Sequence, residues 1–352
     1  MSYIEVNCNI ITQNLSRVLD VCQKQSVSLT VVTKFFTSDY RIVSLLSESG
    51  VDSIADTNIV NFTRKGFEKL KDCKKSLIKT GLSDIRGMAS LPPYARPCRL
   101  FVSDEAMLAA VEALPENLRP ETVLIAEAGD LRDGFYMEDI PEVAARYGKA
   151  RIAGIAANFG CLSGKMPDAA TIRRLADCAR ALPESGGAPP IVSIGGTVVY
   201  TPLESGALSG AATELRMGEG IFFGWDSSSG AALKGFDNDA FTLYGEIIEV
   251  REKLVSPIED AGHTAFGGDA APRKTGRRLC AALNFGLLTA SMYDLVPLDD
   301  GITTAGQTYD FTIADITESR ETYKTGGYIP FRAMYAAAAH AFLNPYIKRV
   351  IK

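Results

Sequence analysis

Short apolar runs alternate with amphipathic segments along the first two-thirds of the chain. The runs are rich in Val, Ile, Leu and Ala, a composition typical of strands that are buried on both faces. Eight of them are predicted to be strands: residues 29–34, 53–55, 76–80, 99–103, 122–128, 151–158, 191–196 and 215–223. Segments with charges on one face and apolar residues at helical spacing are predicted to be helices: residues 12–23, 40–49, 104–114, 137–147 and 168–182. Strands that alternate with helices form a parallel sheet. Eight such units predict a closed (β/α)8 barrel of the TIM type over residues 1–237.

The pattern changes near residue 237. From Phe241 onward, turns rich in Gly, Pro and Asp separate the apolar runs, and helical spacing returns only in the alanine-rich residues 333–342. This pattern predicts a second, mostly β domain over residues 238–352. The chain begins with another strand-like segment, residues 3–7, which is a candidate partner for that second domain.

Composition and charge narrow the classes of function. The 352 residues are 46% hydrophobic and 22% charged, with a net charge of −5, as in ordinary globular proteins. This charge gives no reason to expect a nucleic acid or an anionic membrane as partner. No apolar stretch approaches the roughly 20 residues that cross a bilayer, and the first residues do not resemble a signal peptide.

The cysteines and histidines limit the chemistry further. The seven cysteines are scattered and form no Cys-x-x-Cys motif, as expected of free thiols in a reducing cytoplasm. The two histidines, His263 and His340, are too few for an imidazole-rich metal site and give a Ser-His-Asp hydrolase little choice of base. We therefore expect a cytoplasmic protein without a metal centre.

A lysine ends the first predicted barrel strand. Lys34 follows the β-branched run of residues 29–33 and precedes two phenylalanines. Reactive groups of a (β/α)8 barrel stand at the carboxyl ends of its strands. Partial desolvation there favours the neutral amine, which is a nucleophile that can form a Schiff base. The local pattern alone also fits a lysine whose stem is buried while its amine stays in water.

Glycines follow the seventh and eighth predicted strands, where barrels usually bind a phosphate. Gly196 and Thr197 lie on one side and Gly218 and Glu219 on the other, and we name residues 195–197 and 218–219 the phosphate cup. Exposed backbone N–H groups there can donate to phosphate oxygens, although tight turns alone also use such glycines. A strand-end amine together with this cup favours pyridoxal 5′-phosphate as cofactor.

Arg216, on the eighth strand, is a candidate to face the ring nitrogen of that cofactor. A guanidinium stays protonated, so it can donate a hydrogen bond to the pyridine nitrogen but does not hand it a proton. The ring then stays a weaker electron sink, which suits proton exchange at Cα. Taken alone, an arginine at this position more often forms an ordinary ion pair.

Several segments together resemble the alanine racemase superfamily of fold-type III pyridoxal phosphate proteins. Val-Val-Thr-Lys at residues 31–34 and Leu-Arg-Met-Gly-Glu-Gly-Ile-Phe-Phe-Gly at residues 215–224 carry the resemblance, as does the order of barrel and β domain. Within the superfamily, the chain is most similar to the ornithine racemase-like branch. The segments that match this branch are residues 50–56, 129–134, 154–161, 265–267, 323–327 and 344–346.

The resemblance implies a racemase that binds pyridoxal 5′-phosphate and acts on a free amino acid, with ornithine or a similar basic amino acid as the first candidate. It also implies a homodimer with shared active sites. By position, Lys34 would link to the cofactor and serve as one acid/base group, and Arg216 would face the pyridine nitrogen. Thr197, with backbone groups near Gly196 and Gly218, would hold the phosphate.

The resemblance places further residues around the cofactor. Asn158 would lie near the ring, where alanine racemases more often carry a histidine, and Arg132 would lie at the mouth of the site. Alanine racemases also carry a phosphate-binding tyrosine soon after the lysine, where this chain has Phe-Thr-Ser at residues 36–38. They take a second base, a tyrosine, from the partner subunit, and residues 254–260 give no match to it.

A racemase needs a second acid/base group on the face of Cα opposite the lysine. His263, in a Gly-rich loop, is one candidate because an imidazole exchanges protons near neutral pH; an exposed loop histidine without a role fits the same pattern. Cys161, after the sixth strand, is the other candidate, although cysteines at such positions are mostly buried for packing. His340, in an alanine-rich segment, is interpreted as a helix residue without a chemical role.

Three alternatives remain open. A non-catalytic protein that binds pyridoxal phosphate would resemble the barrel alone, and the second domain argues against it. A fold-type III decarboxylase carries a Cys-Asp specificity segment and a Glu-Pro-Gly-Arg element, and neither occurs here. A metal-assisted aldolase of the same fold needs histidine with cysteine or aspartate ligands late in the chain, where His263 and Cys280 are sparse.

Overall fold

The computed structural model describes residues 1–51, 53–70, 73–183, 189–208, 210–256, 263 and 274–352. Residues 265–267, part of the resemblance above, lie outside these ranges. The chain divides into two compact units, Asn9–Asn238 and Met1–Cys8 with Asp239–Lys352.

The unit Asn9–Asn238 is a closed barrel of eight parallel strands, as predicted. Numbered after the N-terminal strand β1 (Tyr3–Val6), they are β2 (Ser28–Val32), β3 (Ser53–Asp56), β4 (Lys74–Leu77), β5 (Arg99–Val102), β6 (Glu121–Ile125), β7 (Ile152–Asn158), β8 (Ile191–Gly195) and β9 (Glu214–Met217). Pairing of β9 with β2 closes the barrel. A short antiparallel ribbon of β10 (Trp225–Asp226) and β11 (Ala231–Ala232) follows.

Helices lie between most of the barrel strands, before the first and after the last. They are α1 (Cys8–Lys24), α2 (Tyr40–Glu48), α3 (Leu82–Gly87), α4 (Glu105–Glu112), α5 (Ile140–Arg146), α6 (Ala169–Arg180), α7 (Tyr200–Glu204) and α8 (Glu219–Phe223). An aspartate begins three of them, because the side chains of Asp39, Asp104 and Asp168 accept hydrogen bonds from first-turn N–H groups of α2, α4 and α6. None of the helices in the described ranges has the length and apolarity that crossing a bilayer requires.

The eighth predicted strand is partly wrong. Strand β9 ends at Met217, and residues 219–223, predicted as its continuation, form helix α8. All four residues from Gly220 to Phe223 are buried. Because a short apolar run looks the same in a buried strand and in a buried helix, the sequence pattern did not separate them.

The other unit is a mostly antiparallel sheet. The two units confirm the predicted fold class, a barrel followed by a mostly β domain. Its strands and helix, besides β1, are β12 (Phe241–Val255), β13 (Gly276–Leu283), β14 (Leu295–Pro297), β15 (Thr303–Gln307), β16 (Thr312–Asp315), β17 (Tyr328–Ala333), α9 (Tyr335–Leu343) and β18 (Lys348–Ile351). Strand β1 pairs antiparallel with β12 and parallel with β18. The rings of Tyr3 and Tyr244 stack across the first pair at 4.7 Å.

Candidate active site

Lys34 lies at the carboxyl end of the barrel, two residues beyond the end of β2, where it begins a short 3-10 turn of residues Lys34–Phe36. Its side chain is exposed. The described residues therefore do not bury the Lys34 side chain as the strand pattern predicted. Lys34 stands in the turn above the strand and not in the strand itself.

Buried aromatic rings fix this turn against helix α8. The rings of Phe35 and Phe36 each lie 5.1 Å from that of Phe222. Glu219 begins α8 and is close enough for the charge of Lys34 to act on it. Burial raises the pKa of Glu219, while hydrogen bonds from Ser227 and the positive charge of Lys34 act in the opposite direction. The lysine turn and the phosphate cup are thus held side by side.

Buried hydrogen bonds among Thr33, Ser38 and Asp56 support the same turn. Ser38 donates a 2.6 Å hydrogen bond to Asp56, and its hydroxyl lies 2.6 Å from that of Thr33. Thr37 and Ser38 both have positive φ angles, 52° and 49°. The buried Oγ1 of Thr37 has no hydrogen-bond partner among the described residues. An unsatisfied buried hydroxyl is a feature that a bound ligand can complete.

The phosphate cup is built so tightly that only glycine fits at several positions. A Cβ on Gly196, whose φ is 127°, would lie 2.5 Å from the carbonyl oxygen of Phe159, and one on Gly218 would lie 2.8 Å from that of Val32. The Oγ1 of the buried Thr197 accepts a 3.0 Å hydrogen bond from the N–H of Gly220. This bond ties the end of β8 to the first turn of α8.

Arg216 lies in the barrel interior on β9 and is almost fully buried. Its Nη2 donates to Asn158 Oδ1 at 2.8 Å and to the carbonyl of Ala157 at 3.1 Å. Its guanidinium carbon lies 4.8 Å from the centre of the Phe101 ring, within cation–π range. The structure therefore brings two predicted site residues, Asn158 and Arg216, into direct contact.

A second set of hydrogen bonds holds Arg216 from the opposite direction. Its Nη1 donates to the hydroxyl of Ser193, which in turn donates to the buried carboxylate of Glu214. Glu214 also accepts from Thr30 at 3.1 Å and from Arg99 at 2.6 Å. Burial lowers the pKa of Arg216 to about 10, a shift that the carboxylate of Glu214 opposes.

The hydrogen bonds around Glu214 were not predicted from the sequence, although part of the residue pattern that indicates them was present. Glu214 and Arg216 are two residues apart on one strand, so their side chains share a face. A carboxylate next to an arginine in an otherwise apolar strand is a signal for a buried ion pair. Ser193, in contrast, carries no sign of its role, because its partners come from another strand.

Asp130 ties together the loops after β6 and β7. Its Oδ1 accepts hydrogen bonds of 2.9–3.2 Å from the N–H groups of residues 161–163. Arg132 lies in the first of these loops, with its guanidinium 3.7 Å from Asp133. Burial is the main cause that lowers the pKa of Arg216, and the positive charge of Arg132 lowers this pKa further. Arg132 is therefore within electrostatic reach of the site.

The two candidates for the opposite-face base, Cys161 and His263, are both exposed. Cys161 lies three residues beyond β7, in the loop that Asp130 holds. His263 belongs to the unit that contains residues 239–352, and its neighbours on both sides lie outside the described residues. Of the two, Cys161 is the one that the barrel unit contains. His340 lies in helix α9.

The described residues contain no group of three or more His, Cys, Asp or Glu side chains arranged to hold a metal ion. This barrel end offers an amine, a guanidinium, hydroxyl groups and backbone N–H groups. Lys34, Thr197 and Arg216 stand on or just beyond three adjacent strands, β2, β8 and β9. This set has the donors that a phosphate and a heterocyclic nitrogen require.

The fold class is that of alanine racemases. The chain matches the alanine racemase of E. faecalis with a TM-score of 0.71 at 13% identity, covering 100% of this chain and 98% of that one. It matches the alanine racemase of Bartonella henselae, solved with covalently bound pyridoxal phosphate, with a TM-score of 0.72 at 11% identity, covering 100% and 99%. At these identities the likeness concerns the fold.

Sequence comparison identifies relatives that share more residues with this chain than these structures do. The chain is 29% identical over 357 aligned positions to the ornithine racemase of Acetoanaerobium sticklandii, covering 98% of each chain. It is 26% identical over 355 positions to the lysine racemase of Thermotoga maritima, covering 98% of this chain and 97% of that one. No family model matches. These relations confirm the predicted resemblance to the alanine racemase superfamily and, within it, to the ornithine racemase-like branch.

Proposed function

We propose that the protein is a pyridoxal 5′-phosphate-dependent racemase that interconverts the L and D enantiomers of a free amino acid, with ornithine or a similar basic amino acid as substrate. One observation carries the proposal: Lys34, Thr197 and Arg216 stand at one end of three adjacent barrel strands, where hydrogen bonds hold the side chains of Thr197 and Arg216. The whole-length similarity to ornithine and lysine racemases supports the choice of a basic substrate.

The residues present fit the cofactor. Glycines line the phosphate cup where a Cβ would collide with the backbone, and Thr37 offers a buried hydroxyl without a partner among the described residues. Thr197 and the backbone of the cup would hold the phosphate, Lys34 would bind the aldehyde, and Arg216 would face the ring nitrogen. When bound, pyridoxal phosphate supplies an electron-withdrawing ring that acidifies the Cα–H bond of an attached amino acid.

The chain's own groups then set the course of the reaction. Lys34 removes and returns a proton at Cα from one face. Arg216 stays cationic near neutral pH, because even its lowered pKa of about 10 lies well above that range. With the cofactor bound, it would donate a hydrogen bond to the ring nitrogen without protonating it, and the weaker electron withdrawal by the ring would suit proton exchange at Cα.

For the opposite face of Cα we propose His263 first and Cys161 second. Histidine is the side chain that most often serves as a general acid or base, and the thiol of Cys161 is exposed in a loop fixed by Asp130. Arg132, at the mouth, is proposed to bind the substrate carboxylate. We further propose a cytoplasmic homodimer with shared active sites, as in the fold-type III proteins that the chain resembles.

A basic substrate also suits the charges near the mouth. Asp133 is exposed, and its Oδ1 lies 3.7 Å from Arg132, too far for a strong hydrogen bond. Its carboxylate is close enough to raise the pKa of Arg216, against the larger lowering by burial. A side-chain ammonium of ornithine or lysine would therefore find a carboxylate near Arg132.

Loss of the Cα–H signal in D2O, followed by proton NMR, is the direct test. The cofactor-loaded protein is mixed with both enantiomers of ornithine, lysine, alanine and serine. We expect exchange at Cα from both enantiomers of ornithine or lysine, because a racemase must act on both faces. Bound cofactor with no exchange in any amino acid would overturn the racemase and favour a protein that only binds the cofactor.

Gly195→Ala should lower the racemisation rate at least about tenfold, because misplacing a group that orients the reacting centre is costly. The new Cβ would lie 2.5 Å from Arg216 Nη2 and 2.9 Å from Asn158 Oδ1, so one of these groups must move. Gly87→Ala is the matched control, since no described atom outside its own helix turn and its chain neighbours lies within 4 Å of its Cβ position. Equal rates in the two variants would show that the position of the guanidinium does not matter.

A further inference from the structure

A cavity of about 730 Å³ lies at the amino-terminal ends of the barrel strands, opposite the end that carries Lys34. Six strands, β2 to β6 and β9, each contribute their first residue to its wall. A volume of this order accommodates a small organic molecule. We name this space the basal cavity; none of the residues assigned above to the cofactor or the substrate lines it.

Positive charge dominates the basal cavity. Its lining contains five cationic side chains: Lys74, Arg96, Arg99, Arg119 and Arg151. Of the described residues, two carboxylates, Glu121 and Glu214, line the cavity, which leaves an excess of three positive charges among these residues. Both carboxylates already pair with Arg99, at 3.1 and 2.6 Å. Among the described residues, the other four cations have no carboxylate within ion-pair distance.

Two of these cations lie in a repeated heptapeptide with the pattern Leu-Pro-x-x-x-Arg-Pro. Residues 91–97 read Leu-Pro-Pro-Tyr-Ala-Arg-Pro and residues 114–120 read Leu-Pro-Glu-Asn-Leu-Arg-Pro. Each copy contains a short 3-10 turn, Pro93–Ala95 or Glu116–Leu118, and is followed by a barrel strand. The arginine and the final proline of each copy line the cavity. The same pattern therefore delivers a cation to the same space from two successive connections.

Both arginines are held in the same way. In each copy the Nε donates to the carbonyl five residues earlier, at 3.1 Å for Arg96 and 2.8 Å for Arg119. The Nη2 donates to the carbonyl seven residues earlier, at 3.4 and 2.8 Å. Arg151 in turn donates to the carbonyl of residue 119 at 2.9 Å. Guanidinium groups fixed in this way lose little freedom when a ligand binds.

We propose that the basal cavity binds a small anion with at least two negative charges, borne by phosphate or carboxylate groups. Such an anion neutralises cations that are held close together and have no carboxylate partner among the described residues, and guanidinium groups bind both kinds of oxyanion through paired N–H donors. Arg99 lies in the cavity floor with both its carboxylates, so the ligand binds to Arg96, Arg119, Arg151 and Lys74.

Calorimetric titration of the cofactor-loaded protein with pyrophosphate and, separately, with citrate tests this site. We expect saturable binding of at least one of them, which weakens as NaCl is raised because the contacts are partly exposed. The stronger of the two ligands identifies phosphate or carboxylate as the preferred group. If neither anion binds, the proposal is wrong. The titration does not require racemase activity, so its outcome is separate from that of the proposed function.

Variants locate the binding. Arg119→Gln is expected to weaken binding at least about tenfold, since one charge-assisted contact is lost. Because Arg119 also supports carbonyls of its own connection, the double variant Lys74→Gln/Arg151→Gln removes two exposed cations with less risk to folding. Arg173→Gln/Arg174→Gln, on the exposed face of α6, is the matched control. An equal loss in this control would show unspecific surface attraction and overturn the site.

Discussion

Lys34→Ala is expected to lower racemisation at least about a thousandfold, since it removes both a nucleophile and an acid/base group. It should also abolish the visible absorbance that a cofactor linked to a lysine gives. The phosphate cup and Arg216 do not depend on the lysine side chain, so the variant should still fold. Racemisation is followed by polarimetry, and folding by circular dichroism.

Lys79→Ala is the matched control for this prediction. Lys79 stands two residues beyond the end of β4, as Lys34 stands two residues beyond β2, and both are exposed at the same end of the barrel. We expect unchanged absorbance and rate in the control. An unaltered spectrum in the Lys34 variant would contradict the cofactor assignment, and equal losses in both variants would point to a general effect of charge at this barrel end.

The sequence predicted which candidate residues lie at the same end of the barrel, because the fold class alone determines this. Once eight apolar runs are interpreted as parallel barrel strands, residues at their carboxyl ends must come together. The strand-end positions of Lys34, Asn158, Thr197 and Arg216 were predicted in this way, and the structure places these residues on β2, β7, β8 and β9 or directly after them. The exposure of Lys34 was not predictable, because a single residue of strand length decides whether a side chain lies in the barrel or above it.

Contacts between strands that are distant along the chain could not be predicted from the sequence. Arg99 and Glu214 are 115 residues apart and meet because closure of the barrel brings the first residues of its strands together. Such contacts depend on the register of every strand between them, which hydrophobic patterns specify only by face. The repeated heptapeptide is visible in the sequence, but its meaning depends on the same closure, since the two arginines acquire a common cavity only in the barrel.

Glu214→Gln is expected to lower the free energy of unfolding by about 3 kcal/mol, the cost typical of removing one partner from a buried ion pair. The carboxylate is almost fully buried and lies between two guanidinium groups, bonded directly to Arg99 and through Ser193 to Arg216. A glutamine keeps the shape but leaves both cations without their shared counter-charge. Denaturant unfolding measures the change.

Glu121→Gln separates this effect from a general loss of acidic charge. Glu121 pairs with the same Arg99 at 3.1 Å, but its side chain is 44% exposed, so we expect a loss below about 1 kcal/mol. The double variant Arg99→Gln/Glu214→Gln should be more stable than Glu214→Gln alone, because it removes one of the stranded cations as well. Equal losses for Glu121→Gln and Glu214→Gln would mean that burial does not strengthen the pair.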